Sequence, residues 1–361
     1  MQFLYDGITA FLIGYLSVTN LLAGQISNLI GNSKPSATEV ITQNTTPIPL
    51  PSLFHSANLI PDVLLQSAPF QAAAVVESGQ EQKITTENPF AALVNVYCTF
   101  TTTKNIRTTT GTGFFIDQSG VILTNAHVAQ FLLLEKTNTL GKTDCVIRNG
   151  NPAAPRYHAE LLYISPAWVK ANATLVDAVA PVGTGERDYA LLYVTDALDE
   201  SPLPAIFPAL RINAELLPRT TEESTVTAAA YPAGALLTGG TDTALLPRLA
   251  TTTVSQLFTY TSNYADVIGM RGSSVGEQGS SGGPVLALDH QVIGMITTRG
   301  NDTNDGTGSL RAITMSHINR TITEETGFSL SSNISGNIPY RAKIFANTMA
   351  PFLTELLAKE L

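Results

Sequence analysis

The sequence predicts an all-β protein: two six-stranded antiparallel β-barrels packed together with a cleft between them, an apolar helix before them and another helix after. Three observations carry this. From Pro89 onward, short β-type runs alternate with clusters of Gly, Pro, Asn and Asp, the punctuation of barrels and sandwiches. About twelve such runs fall into two sets of six, on either side of a crossing segment, Asp199–Pro218, that holds four prolines. Finally, 361 residues that are 44% hydrophobic and only 14% charged suffice for a large buried core and for two or three units.

Taken in order, the chain opens with an apolar stretch, 1–33. Gly7 to Ser33 carry no charge over 27 positions, long enough as a helix to cross a bilayer, so the segment reads first as a membrane anchor. The alternative is an amphipathic helix lying on a membrane surface, suggested by the spacing of Leu4, Ile8, Phe11, Leu12, Tyr15 and Leu22. A cleaved signal peptide fits less well, because no Lys or Arg precedes the apolar run. Residues 34–88 turn to Ser, Thr, Asn, Gln and Pro and read as a linker. The first barrel, 89–198, draws on Ala91–Phe100, Gly113–Asp117, Val121–Asn125, Asp144–Arg148, His158–Ile164 and Tyr189–Thr195. The crossing segment and second barrel, 199–327, draw on Ser224–Tyr231, Leu249–Tyr260, Asp266–Met270, Pro284–Leu288, Val292–Thr297 and Arg311–Ile318. In the tail, 328–361, Ile344, Phe345, Met349, Leu353, Leu356 and Leu357 recur at helical spacing and predict a helix packed on a barrel, kinked or restarted at Pro351.

Chemistry concentrates in three places. Gly279-Ser280-Ser281-Gly282-Gly283-Pro284 immediately precedes a β-type run. A serine hydroxyl is a poor nucleophile at neutral pH, so a chain that uses one exposes it on a tight turn whose amides also receive an oxyanion. The alternative, on the hexapeptide taken alone, is a Gly/Ser loop. Upstream lie Thr124-Asn125-Ala126-His127-Val128, which follows a Gly-rich β-type run, and Asp188-Tyr189-Ala190-Leu191-Leu192. In isolation His127 is a core histidine and Asp188 a strand-entry turn residue. The order His, Asp, Ser, at intervals of 61 and 93 residues, is far more specific than any one motif.

On these motifs, over roughly Pro89 to Gly327, the chain resembles the chymotrypsin-like (trypsin-like) serine peptidases, and most closely the bacterial branch that includes the HtrA/Deg proteases. The resemblance implies the chymotrypsin-type double barrel, with His127 as general base, Asp188 as the partner that orients it, and Ser281 as nucleophile. Ser281 is preferred over Ser280 because the family places Gly-Gly directly after the reactive serine. It further implies an oxyanion hole from the amides of Gly279 and Ser281, and a specificity pocket with Val275 at its floor and Thr297 on its wall. A valine there suggests small or medium apolar side chains. Two features depart from the family: no acidic residue precedes Ser281, and only 34 residues follow Gly327, too few for the PDZ domain of HtrA proteins. The expected function is therefore a serine endopeptidase, tethered to the membrane, acting on protein or peptide substrates outside the cytoplasm. Asp6 before the apolar segment and Lys34 after it do not settle its orientation. The rival from another class is a catalytically inactive pseudo-protease that grips extended peptides in the cleft by strand addition.

Other classes are disfavoured. A net charge of −9 offers no basic footprint for nucleic acid. Gly111-Thr112-Gly113 and Gly183-Thr184-Gly185 read as turns rather than phosphate loops, and no cofactor or metal is expected. Two cysteines, Cys98 and Cys145, lie in β-type runs on either side of His127; they either pair across adjacent strands or stay as two buried thiols. Pairing implies an oxidising compartment. His55, His158, His290 and His317 lack comparable neighbours and read as surface or structural residues. The oligomeric state is not legible.

Overall fold

The computed structural model describes residues 85–101, 106–137, 141–177, 185–234, 244–260, 263–299 and 309–360. The apolar segment 1–33 and nearly all of the linker lie outside them. No helix among the described residues is long and apolar enough to cross a membrane.

A short helix, α1 (Pro89–Ala92), leads into β1 (Leu93–Thr101), β2 (Ile106–Asp117) and β3 (Val121–Thr124). After α2 (Ala126–Ala129) come β4 (Lys142–Asn149), β5 (Ala154–Ile164), α3 (Pro166–Asn172) and β6 (Ala190–Ala197). These six strands close a barrel in the order β1-β2-β3-β6-β5-β4. The second barrel closes as β10-β11-β12-β9-β8-β7. Its strands are β7 (Thr225–Ala230), β8 (Arg248–Phe258), β9 (Val267–Met270), β10 (Pro284–Leu286), β11 (Val292–Arg299) and β12 (Leu310–Thr314). All pairings between these strands are antiparallel. Closure leaves no sheet edge unpaired, so each strand buries one face inward. Val226, Ala228, Val254, Ile268, Val285 and Ile296 fill the second barrel, while a larger cluster fills the first and reaches past it to the C-terminal helices.

The twelve expected strands are all present, with shifted ends. β2 begins at Ile106, well before Gly113. Gly111 and Gly113 therefore lie inside a strand and not in a turn. Their lack of a side chain makes room, since a Cβ at Gly111 would come within 2.4 Å of Val128 on α2. β10 ends at Leu286, leaving Leu288 exposed. The expected strand Arg311–Ile318 stops at Thr314, whose hydroxyl accepts the His317 N–H (3.1 Å) and starts α4 (Met315–Thr326). Gly327, at φ 79°, ends that helix in the left-handed conformation. The predicted C-terminal helix is α6 (Ile338–Ala358), with Pro351 inside it, preceded by α5 (Leu330–Asn333). It leaves the second barrel and packs on β5 and α3 of the first, burying Ile344, Phe345, Met349, Leu353 and Leu357. Thr354 Oγ1 donates to the Leu133 carbonyl (2.9 Å) just beyond α2.

Cys98 and Cys145 stand directly opposite each other on β1 and β4 and are joined by a disulfide, which decides between the two sequence alternatives.

Candidate active site

Where β3 ends, Asn125 turns the chain into α2, placing His127 one residue inside a single helical turn. Asn125 Nδ2 donates to the Asp188 carbonyl (2.8 Å), so the turn carrying His127 is tied to the entrance of β6. Asp188 is approached through a tight turn in which its N–H reaches the Gly185 carbonyl (3.2 Å), with Gly185 at φ 79° and Arg187 at φ 57°. Both peptide groups of the aspartate are thus held, and its side chain is 5% exposed.

The buried carboxylate accepts three hydrogen bonds. The His127 backbone N–H reaches Oδ1 at 2.9 Å, and His127 Nδ1 lies 2.7 Å from Oδ2. Thr297 Oγ1, arriving from β11 of the other barrel, also donates to Oδ2 (2.9 Å). An ionised carboxylate can only accept, so Nδ1 carries the proton and Nε2 is left with its lone pair. Burial alone would lower the His127 pKa. The Asp188 charge and its hydrogen bond outweigh burial and hold it above the ordinary 6.5.

The serine turn comes from the second barrel but is held by the first. The Thr112 N–H donates to the Ser281 carbonyl (2.7 Å), and Thr112 Oγ1 donates to the Gly279 carbonyl (2.8 Å) while accepting the Tyr231 N–H (2.9 Å). Thr124 Oγ1 caps the Thr112 carbonyl in turn (2.6 Å). Gly279 and Gly282 sit at φ 94° and 90°, conformations that a side chain would oppose. The amides alternate in use. Those of Ser280, Gly282 and Gly283 donate to the carbonyls of Glu277, Ile296 and Ser280, whereas those of Gly279 and Ser281 donate to no backbone carbonyl among the described residues. Ser280 is buried at 1% exposure, while Ser281 is only partly buried. No hydrogen bond joins the Ser281 hydroxyl to His127 in this structure. What the arrangement offers is an accessible hydroxyl between two unspent N–H donors, in a turn bonded to the barrel that carries a basic imidazole nitrogen.

The two pocket expectations land differently. Val275 is fully buried within the apolar cluster of the second barrel. Thr297, expected on a pocket wall, directs its hydroxyl to Asp188 because the register of β11 brings that side chain to the carboxylate. Sequence reasoning also passed over Thr112, Asn125 and Arg187, although all three lie within or beside quoted motifs. The remaining described histidines stand apart: His158 pairs with Asp196 on the surface (2.7 Å), His290 occupies a turn, and buried His317 pairs with Asp266 (3.1 Å).

Comparison with known proteins gives one family. The description "Trypsin-like peptidase domain" matches residues 111–295, which include His127, Asp188 and Ser281. No curated protein matches. Solved structures that are similar include the active form of the Rv3671c protease from M. tuberculosis, at 19% identity over 81% of this chain and 96% of that one, with a TM-score of 0.39. An inactive serine-to-alanine mutant of Rv3671c from M. tuberculosis H37Rv matches at 18% identity over 75% and 96%, with a TM-score of 0.38.

Proposed function

We propose that this chain, which belongs to the family of trypsin-like peptidase domains, is a serine endopeptidase that cleaves peptide bonds through Ser281, His127 and Asp188. The observation that carries the reading is the buried Asp188 carboxylate, hydrogen-bonded at 2.7 Å to His127 Nδ1 and leaving Nε2 as the base. Ser281 Oγ attacks the scissile carbonyl as His127 Nε2 takes its proton. The negative charge that develops on the carbonyl oxygen is received by the amides of Gly279 and Ser281. The imidazolium, stabilised by Asp188, then gives its proton to the leaving amine. Water, activated by the same imidazole, releases the acyl group from Ser281. The missing hydrogen bond between Ser281 Oγ and His127 favours the rival reading, a peptide-binding pseudo-protease. Such contacts commonly tighten only when substrate is bound.

Full-length protein in detergent is expected to hydrolyse casein and to form a fluorophosphonate adduct at Ser281. Ser281→Ala is expected to lower turnover by roughly 10⁶-fold, a magnitude taken from the same change in another serine peptidase. Folded protein that shows neither turnover nor adduct is the binding module instead.

Two further parts belong to the proposal. The uncharged run in segment 1–33 supports a single-pass membrane tether, and the Cys98–Cys145 disulfide supports a catalytic unit on an oxidising side, outside the cytoplasm. Val275 supports a preference for small or medium apolar side chains; dominant cleavage after Arg or Lys in a peptide library excludes it.

A further inference from the structure

The residues on either side of Asp188 are both gripped by α4, the helix that follows β12. Arg187 Nη1 donates to Glu325 Oε1 at 2.9 Å, and Arg187 Nη2 to Glu324 Oε2 at 2.8 Å. Thr321 Oγ1 donates to the Tyr189 hydroxyl at 2.9 Å. Glu325 is the centre of this contact. Its side chain is 10% exposed, and besides Arg187 it accepts from Ser165 Oγ (2.9 Å) and from the Tyr163 hydroxyl. Tyr163 lies at the end of β5, one residue before its last, and Ser165 caps α3, so one carboxylate from the second barrel binds three points of the first.

Two features distinguish this cluster from ordinary packing. Arg187 adopts φ 57°, a backbone state that non-glycine residues avoid and that persists only where the surroundings hold it. The residue held there is the immediate neighbour of Asp188. A buried carboxylate is costly to retain unless its donors are all in place, and an apolar contact would pack the same two barrels without that requirement. The geometry therefore suits fixing one peptide unit in one place more than it suits adding stability.

We propose that Glu325 is a positioning residue: by clamping Arg187 in its left-handed conformation it fixes the turn that aims the Asp188 carboxylate at His127. The clamp thereby makes the His127–Asp188 pairing depend on docking of the second barrel, which also carries Ser281. The catalytic consequence rests on the endopeptidase reading; the pairing itself does not.

The test uses full-length protein with isotope-labelled histidine, the His127 signal being assigned by its loss in His127→Ala. The titration midpoint of His127 reports its pairing with Asp188 whether or not the protein cleaves anything. In Glu325→Gln and in Arg187→Lys, which keeps the charge but loses the two-pronged grip, the midpoint is expected to fall from its raised position toward 6.5. Over the same variants kcat is expected to fall roughly 10- to 100-fold with KM unchanged, as for a misplaced catalytic group. If Glu325→Gln does not fold, Arg187→Lys and Glu325→Asp supply the reading. Folded variants that lose thermal stability but keep the parent midpoint and kcat overturn the proposal and leave Glu325 a structural residue. A parent protein that neither turns over substrate nor labels at Ser281 refutes the endopeptidase reading, and the titration alone then upholds or overturns the clamp.

Discussion

Substituting Gly282 by alanine tests how the serine turn is held. A Cβ on Gly282 would lie 1.9 Å from the Thr112 carbonyl oxygen and 2.7 Å from Thr124 Oγ1, whereas real Cβ atoms essentially never come closer than 3.0 Å to a neighbour. Thr112 is backbone in the middle of β2, so the serine turn and the first barrel must separate by about 1 Å. That movement breaks the bonds from the Thr112 N–H to the Ser281 carbonyl and from Thr112 Oγ1 to the Gly279 carbonyl. The left-handed conformation costs alanine roughly 1–2 kcal/mol and each lost hydrogen bond about 1 kcal/mol, giving a stability loss of roughly 3–4 kcal/mol. A nucleophile displaced by about 1 Å loses on the order of 10²-fold in turnover. Urea unfolding measures the first quantity, and hydrolysis of a chromogenic ester by the folded fraction measures the second. A Gly282→Ala protein within about 1 kcal/mol of its parent and with unchanged turnover refutes the reasoning, because the two barrels are then not locked at this contact.

Further outcomes are expected. Thr297→Val removes one donor from the Asp188 carboxylate; a hydrogen bond to a charged group is worth about 1.5–3 kcal/mol, so kcat falls roughly 10- to 100-fold while KM holds. The acid limb of the pH dependence of kcat/KM follows His127, whose folded pKa is raised above 6.5, so activity appears only as the pH rises through that raised value. The His127–Asp188 pair contributes stability in the opposite sense, fully present below 6.5 and lost as pH rises through the folded pKa. Asp188→Asn removes the charge that raises the pKa and is expected to cut turnover roughly 10⁴-fold, the figure for the same change in a chymotrypsin-type triad. Replacing Cys98 and Cys145 by alanine opens a loop with a sequence separation of 47 and costs at most about 4 kcal/mol in denaturant unfolding. Activity of the folded protein persists, because the β1–β4 ladder still holds the strands in register.

Much of this architecture was legible because barrels are written locally. Each strand is a short apolar run bounded by turn residues, and the Pro-rich crossing separates two sets of six. His127, Asp188 and Ser281 stood out because each sits in a short motif with its own backbone requirement. The misreading at Arg311–Ile318 has a local cause: apolar positions continue through Met315 and Ile318, and the helix signal is a single capping threonine followed much later by Gly327. The bond from Thr297 to Asp188 was illegible for the opposite reason. Nothing around it in sequence says that its hydroxyl faces a carboxylate 109 positions away.

The sequence by itself determined the strands and their division into two barrels, and it singled out His127, Asp188 and Ser281 as candidates, since these depend on neighbours within a few positions. Tertiary structure alone decided that Cys98 meets Cys145, that Ser281 rather than Ser280 lies open, that Thr297 serves Asp188, and that Glu325 clamps Arg187. Each depends on how strands distant in sequence close into barrels and how the barrels dock, relations that chain periodicity does not encode.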